Sequence, residues 1–116
     1  MKSYLTHLEC TYCGETYSAD ELHNTCKKCG RVLYARYDLD GVKASLTKDD
    51  IARRHGSMWR WFELMPVRNP ENVVSLGEGS TPLLAARRIG ERIGTDSLFI
   101  KEEGLNPTGS FKARGI

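Results

Sequence analysis

The chain has 116 residues, 40% hydrophobic and 28% charged, with a formal net charge of +2 at pH 7. That composition allows one medium globular domain or two small ones with a modest core, and its dispersed basic residues give no argument for nucleic acid. No apolar run approaches the roughly 18 residues of a membrane span, and the opening MKSYLTHLEC lacks the apolar stretch of a secretion signal, so a cytoplasmic location is the default expectation.

The first thirty residues carry all four cysteines, as Cys10-Thr-Tyr-Cys13 and Cys26-Lys-Lys-Cys29, each pair followed by a glycine. Two residues between cysteines let both sulfurs of a tight turn point at one ion, and glycine supplies the positive φ such a turn needs. The spacing predicts a zinc ribbon with Cys10, Cys13, Cys26 and Cys29 as ligands. Iron could occupy the same cage. Disulfides are the alternative, but bridges within C-x-x-C constrain little chain, and bridges between the pairs need an oxidising compartment. With four thiolates available, His7 and His23 are expected to be plain surface histidines. Residues 4–9, 15–19 and 31–37 read as three short strands around the metal. So small a unit depends on the ion for much of its folding free energy.

Residues 38–43 (DLDGVK) read as a turn and linker. Thr47 begins a short helix to about residue 55, with acids in its first turn and Gly56 as its stop. The run SMWRWFELMP, residues 57–66, is expected to staple the ribbon to the next unit through its aromatic side chains, with His55 at a surface or interface. Residues 72–84 read as a loop and residues 83–94 as a helix ended by Gly94. Residues 97–103 read as a strand. A loop and the start of another helix follow, the texture of an α/β layer.

The last stretch, LNPTGSFKARGI, places Lys112 just after a small polar turn, in the first turn of the expected helix with Thr108 or Ser110 as cap. A cation is mildly disfavoured there, and Arg114 adds a second positive charge, so the neutral amine is favoured. A neutral amine attacks an aldehyde to form a Schiff base, and the neighbouring Phe111 ring could pack on a flat cofactor. A lone lysine is more often a solvated surface charge. The stretch lacks the full pattern of a nucleotide P-loop.

The segments LGEGSTPLL (residues 76–84) and LFIKEEGLNPTGSFKARG (residues 98–115) together resemble the start of pyridoxal-phosphate enzymes of fold type II, the tryptophan-synthase-β type. Within that group the chain is similar to the threonine synthases, many of which also carry a cysteine-paired segment. With the residue readings above, this leads to the expectation of an α/β fold in three parts. These are a zinc-ribbon-like segment over residues 1–37, a helical connector over 38–70, and the truncated beginning of a fold type II catalytic domain over 71–116.

By the same resemblance Lys112 would bind pyridoxal 5'-phosphate covalently and then move protons, with Phe111 beside the cofactor. Ser80 and Thr81 would border the cleft without an assigned role, and Arg114 would be structural or electrostatic. The implied reaction converts O-phosphohomoserine and water to threonine and phosphate, in an enzyme that could be a homo-oligomer. Ala113 stands where many threonine synthases carry aspartate. SFKARG also resembles serine and threonine dehydratases, so a dehydratase, a cysteate synthase or another β-replacement enzyme is the alternative. A zinc-ribbon module contacting nucleic acid or protein is a third reading. The family's glycine-rich phosphate loop is expected after Ile116, and these 116 residues alone are expected to be inactive.

Overall fold

The computed structural model describes residues 1–54 and 56–115, so the expectation for His55 lies outside them. The fold divides into two compact units. One comprises Met1–Arg54 with Trp59–Val73, and the remaining described residues form the other.

The first unit is built on β1 (Leu5–Cys10), flanked by β2 (Thr16–Ser18) and β3 (Leu33–Tyr37) in an antiparallel sheet of order β2-β1-β3. These are the three strands anticipated from the sequence: β1 is shifted by one residue, β2 is trimmed at both ends and β3 at its start. Leu8 lies opposite both Tyr17 and Ala35, and Glu9 lies opposite Tyr34. Glu9 also binds the Arg36 guanidinium through two hydrogen bonds, of 2.7 and 2.9 Å, and accepts the Tyr34 hydroxyl at 3.0 Å. The apolar core is very small. Among the described residues the buried hydrophobic side chains are Leu5, Cys10, Cys26 and Phe62.

Residues 38–43 do not form a linker. They start α1 (Leu39–Ser45), because the Asp38 carboxylate accepts the Gly41 N–H at 2.9 Å and so satisfies an end donor of the helix. Gly41 is needed for close approach: a Cβ there would run into that carboxylate and come within 2.8 Å of the Tyr4 ring. The helix expected from Thr47 is α2 (Lys48–Arg53), opened by a capping box between Thr47 and Asp50.

The aromatic run forms a 3-10 segment, Met58–Leu64, kinked at Trp61. Of its aromatic residues Phe62 is fully buried, while Trp61 stays 43% exposed. Polar contacts pin residues 59–73 to the ribbon unit. Tyr4 N–H donates to the Glu63 carbonyl at 2.9 Å, and the Ser3 hydroxyl donates to the Met65 carbonyl at 2.6 Å. Arg54 grips the buried Glu63 carboxylate through two hydrogen bonds, of 2.7 and 2.8 Å. Arg68 donates to the Leu5 carbonyl at 3.1 Å and pairs with Asp20.

In the second unit β4 (Leu83–Ala85) pairs antiparallel with β5 (Phe99–Lys101), and α3 (Arg87–Ile93) connects them. Residues 83–85 were expected to open the helix. They are extended because they hydrogen-bond to β5, and Ala86 N–H donates to the Leu98 carbonyl at 2.9 Å. Their apolar spacing suits helix and strand alike. Gly94 ends α3 in the left-handed region, as anticipated. The strand expected over 97–103 stops at Lys101, since Glu102 caps a 3-10 turn at Glu103–Leu105. No helix among the described residues is long and apolar enough to cross a membrane.

Candidate functional site

The two C-x-x-C turns have matching backbone frames. Gly14 N–H donates to the Cys10 carbonyl at 3.2 Å, and Gly30 N–H to the Cys26 carbonyl at 2.8 Å. Cys10 N–H donates to Glu15 O and Cys26 N–H to Arg31 O, each at 2.8 Å. Gly14 and Gly30 take φ of 71° and 72°, the left-handed conformation that closes each turn without a Cβ penalty.

These frames bring all four sulfurs within 4.8 Å of one another. Three separations are 3.4 Å (Cys10–Cys29), 3.6 Å (Cys13–Cys26) and 3.6 Å (Cys13–Cys29). A tetrahedron of thiolates about 2.3 Å from a central zinc has edges of about 3.8 Å. A disulfide needs about 2.05 Å, and all four cysteines are free. The donor set therefore fits a tetrahedral, sulfur-bound metal.

The surroundings favour the thiolate at Cys10 and Cys26, whereas at Cys13 and Cys29 a backbone hydrogen bond is outweighed by burial and the neighbouring sulfurs, which push those thiols up. The Tyr17 hydroxyl lies 3.3 Å from Cys26 Sγ and, helped by backbone N–H groups and set against burial, brings that thiol down to about 6. The N–H groups of Tyr12 and Cys13 each donate to Cys10 Sγ at 3.5 Å, and the Cys13 contact is the main reason that thiol is lowered. His7 is half exposed, as expected. His23 is not at the surface: its side chain is 4% exposed and tilts against Tyr17 at 5.0 Å between ring centres. Tyr17 gives the imidazole an apolar face to cover, which the sequence offers no way to see.

The Lys112 stretch is organised by its turns. Gly109 N–H donates to the Asn106 carbonyl at 2.8 Å. Ser110 is the cap anticipated from the sequence: its Oγ accepts Lys112 N–H at 3.2 Å and opens the turn Phe111–Arg114. That element is a four-residue 3-10 turn rather than the start of an α-helix. Both Phe111 and Lys112 are exposed, with Nζ 5.5 Å from the centre of the Phe111 ring. An exposed primary amine beside an exposed aromatic face suits an aldehyde-bearing planar cofactor.

Beneath this turn lies a polar cluster that sequence reasoning did not anticipate. Arg114 donates to both oxygens of Glu103, at 2.7 and 2.8 Å. The buried Thr81 donates its hydroxyl to the same carboxylate, and the buried Asn106 donates Nδ2 to it at 3.1 Å. Asn106 Oδ1 in turn accepts Gly79 N–H at 3.0 Å. Arg114 first, then Thr81 and Asn106, hold the Glu103 carboxyl down to about 2. Arg114, the second positive charge beside Lys112, is thus paired with Glu103. The GEGSTPL and NPTGSFKARG segments meet through this cluster.

Comparison with known proteins bears on this unit directly. Residues 74–116 match the family described as "Pyridoxal-phosphate dependent enzyme". The chain resembles threonine synthases over almost its whole length. It is 40% identical over 107 residues to "Threonine synthase" of Methanocaldococcus jannaschii, covering 92% of this chain and 26% of the relative. It is 43% identical over 111 residues to "Threonine synthase" of Methanosarcina acetivorans, covering 95% and 26%. A third match, to "Threonine synthase" of Synechocystis, is 55% identical over 65 residues, covering 55% and 17%. The chain thus spans about a quarter of the length of the first two relatives. No solved structure gives a significant match. Every part of the Glu103 cluster lies inside the residues that match this family.

Proposed function

We propose that this chain forms part of a threonine synthase, a pyridoxal-phosphate-dependent lyase of fold type II acting in the cytoplasm on O-phosphohomoserine. Lys112 is the residue that holds the cofactor covalently, and Phe111 flanks it. Residues 71–116 contribute to the catalytic domain. Bound pyridoxal phosphate supplies an electron sink that makes γ-phosphate loss and β-hydration accessible. The chain's own part would be to present the Lys112 amine, to release it when the substrate amine takes its place, and to let the freed amine carry protons. The observation that carries the reading is the exposed Lys112 amine on a turn fixed by Ser110 and Arg114, inside the residues that match the family.

Four converging thiols support a structural zinc at Cys10, Cys13, Cys26 and Cys29. Zinc needs no redox partner and accepts this tetrahedral set without geometric preference. Resemblance to threonine synthases favours this reaction over a dehydratase, a cysteate synthase or a stand-alone ribbon module.

The test is reductive trapping in the full natural protein. Pyridoxal phosphate followed by borohydride is expected to modify Lys112, located by peptide mass spectrometry. Modification spread over the other lysines with none at Lys112 sinks the proposal. Assay with O-phosphohomoserine against serine and threonine then separates the synthase from a dehydratase.

A further inference from the structure

The turn that carries Lys112 has little local strength. Its contacts to near neighbours are the Ser110 cap, Ala113 N–H to the Ser110 carbonyl at 3.3 Å, and Gly115 N–H to the Lys112 carbonyl at 3.1 Å. A single 3-10 turn with three such bonds does not hold its own orientation in water. The long-range anchor is Arg114, two residues after the lysine, through its fork onto Glu103.

We infer that Glu103 is a positioning residue for Lys112: by gripping Arg114 it aims the turn, and by neutralising that guanidinium it leaves the lysine, among the described residues, as the turn's one uncompensated cation. The inference rests on the reading of Lys112 as the cofactor lysine. Two parallel hydrogen bonds fix orientation as well as distance. In a turn of three residues, positions two apart point about 120° from each other. Drawing Arg114 inward onto Glu103 therefore directs Lys112 elsewhere, and the lysine is exposed as this requires.

Glu103 is suited to be the fixed end. Its carboxylate also receives the Thr81 hydroxyl and Asn106 Nδ2, and Asn106 is tied to the Gly79 backbone. A surface ion pair joins two mobile side chains and contributes little. Here one partner is held by two buried residues before the arginine arrives.

The experiment uses the full natural protein with three variants, Glu103→Gln, Glu103→Asp and Arg114→Lys. Two quantities are read: amide exchange of peptides spanning residues 105–115 without cofactor, and the rate of borohydride-trapped pyridoxal phosphate at Lys112. Glu103→Gln is expected to speed exchange in those peptides and slow Lys112 trapping about tenfold, because small misplacement of a reacting group is costly. Glu103→Asp is expected to recover part of that loss. Arg114→Lys, which keeps the charge and loses the fork, is expected to behave like Glu103→Gln. Wild-type trapping at Lys112 with unchanged trapping in both Glu103→Gln and Arg114→Lys overturns the positioning role and leaves the cofactor reading standing. Absence of trapping at Lys112 in the wild type removes both. If Glu103→Gln fails to fold, Arg114→Lys decides alone by the same trapping rate.

Discussion

The Tyr17 hydroxyl accepts the Lys27 backbone N–H at 2.9 Å and lies 3.3 Å from Cys26 Sγ. With an acceptor site of the oxygen occupied in this way, its proton is directed to the sulfur. One phenol therefore braces the second C-x-x-C turn and stabilises negative charge on a proposed metal ligand. Such supporting contacts typically alter metal affinity 10- to 100-fold. Tyr17→Phe is expected to weaken zinc binding by about tenfold. Competition with a chromophoric chelator measures it, and unchanged affinity would mean the hydroxyl does not support the centre.

Removing the proposed metal should unfold the ribbon unit. Its buried apolar side chains other than the cysteines are Leu5 and Phe62 among the described residues, far too little to offset chain entropy alone. A strong chelator, or Cys13→Ser, is expected to abolish the dispersed NMR signals of β1, β2 and β3, and added zinc should restore them in the chelated protein. A spectrum indifferent to chelator counts against a structural metal.

Phe62 is the largest fully buried side chain described. Phe62→Ala removes a ring that a core this small cannot replace by relaxation, with an expected cost of about 3 kcal/mol. Urea titration of the metal-loaded protein gives the value. A loss below about 1 kcal/mol would place the ring in a site that collapses easily.

Gly79 occupies φ of 97°, and a Cβ there would lie 2.5 Å from the Met58 backbone nitrogen. Gly79→Ala combines backbone strain with a collision against main chain, so a destabilisation of about 1–3 kcal/mol is expected. It should also loosen the Asn106 contact made by the Gly79 N–H. Thermal melting and amide exchange at residues 77–81 provide the check.

Folding lowers the Glu103 carboxyl from its ordinary 4.5 to about 2, chiefly through Arg114. The sign follows from linkage. The stabilisation is fully present above 4.5 and is lost as pH falls from there toward about 2. The urea midpoint of the second unit is expected to drop through this window in the wild type, and Glu103→Gln should flatten that dependence. Identical acid profiles for the two proteins would show that Glu103 gains nothing from its partners.

Some of this was legible in residue order because the interacting groups are close in sequence. Both C-x-x-C-G turns, the Thr47 cap, the Gly94 stop and the Ser110 cap are local devices. Each follows from the conformations that a glycine or a short hydroxyl side chain allows within a few residues. Misreadings arose where local preference is nearly neutral. DLDGVK could serve as a turn or as a capped helix, and the Asp38 contact with Gly41 chose the helix. Leu83–Ala85 fits either periodicity, and pairing with Phe99–Lys101 chose the strand. His23 and Glu103 carry no motif. One is buried against Tyr17, and the other collects donors from Thr81, Asn106 and Arg114.

Sequence alone therefore determined the chemistry on offer: four thiols spaced for one ion, and one amine in a hydroxyl-capped turn beside an aromatic ring. Tertiary structure decided what holds those groups in place. A carboxylate's partners depend on which distant donors the folded chain brings within about 3 Å, and residues 81 and 114 reach Glu103 only once the chain has folded back.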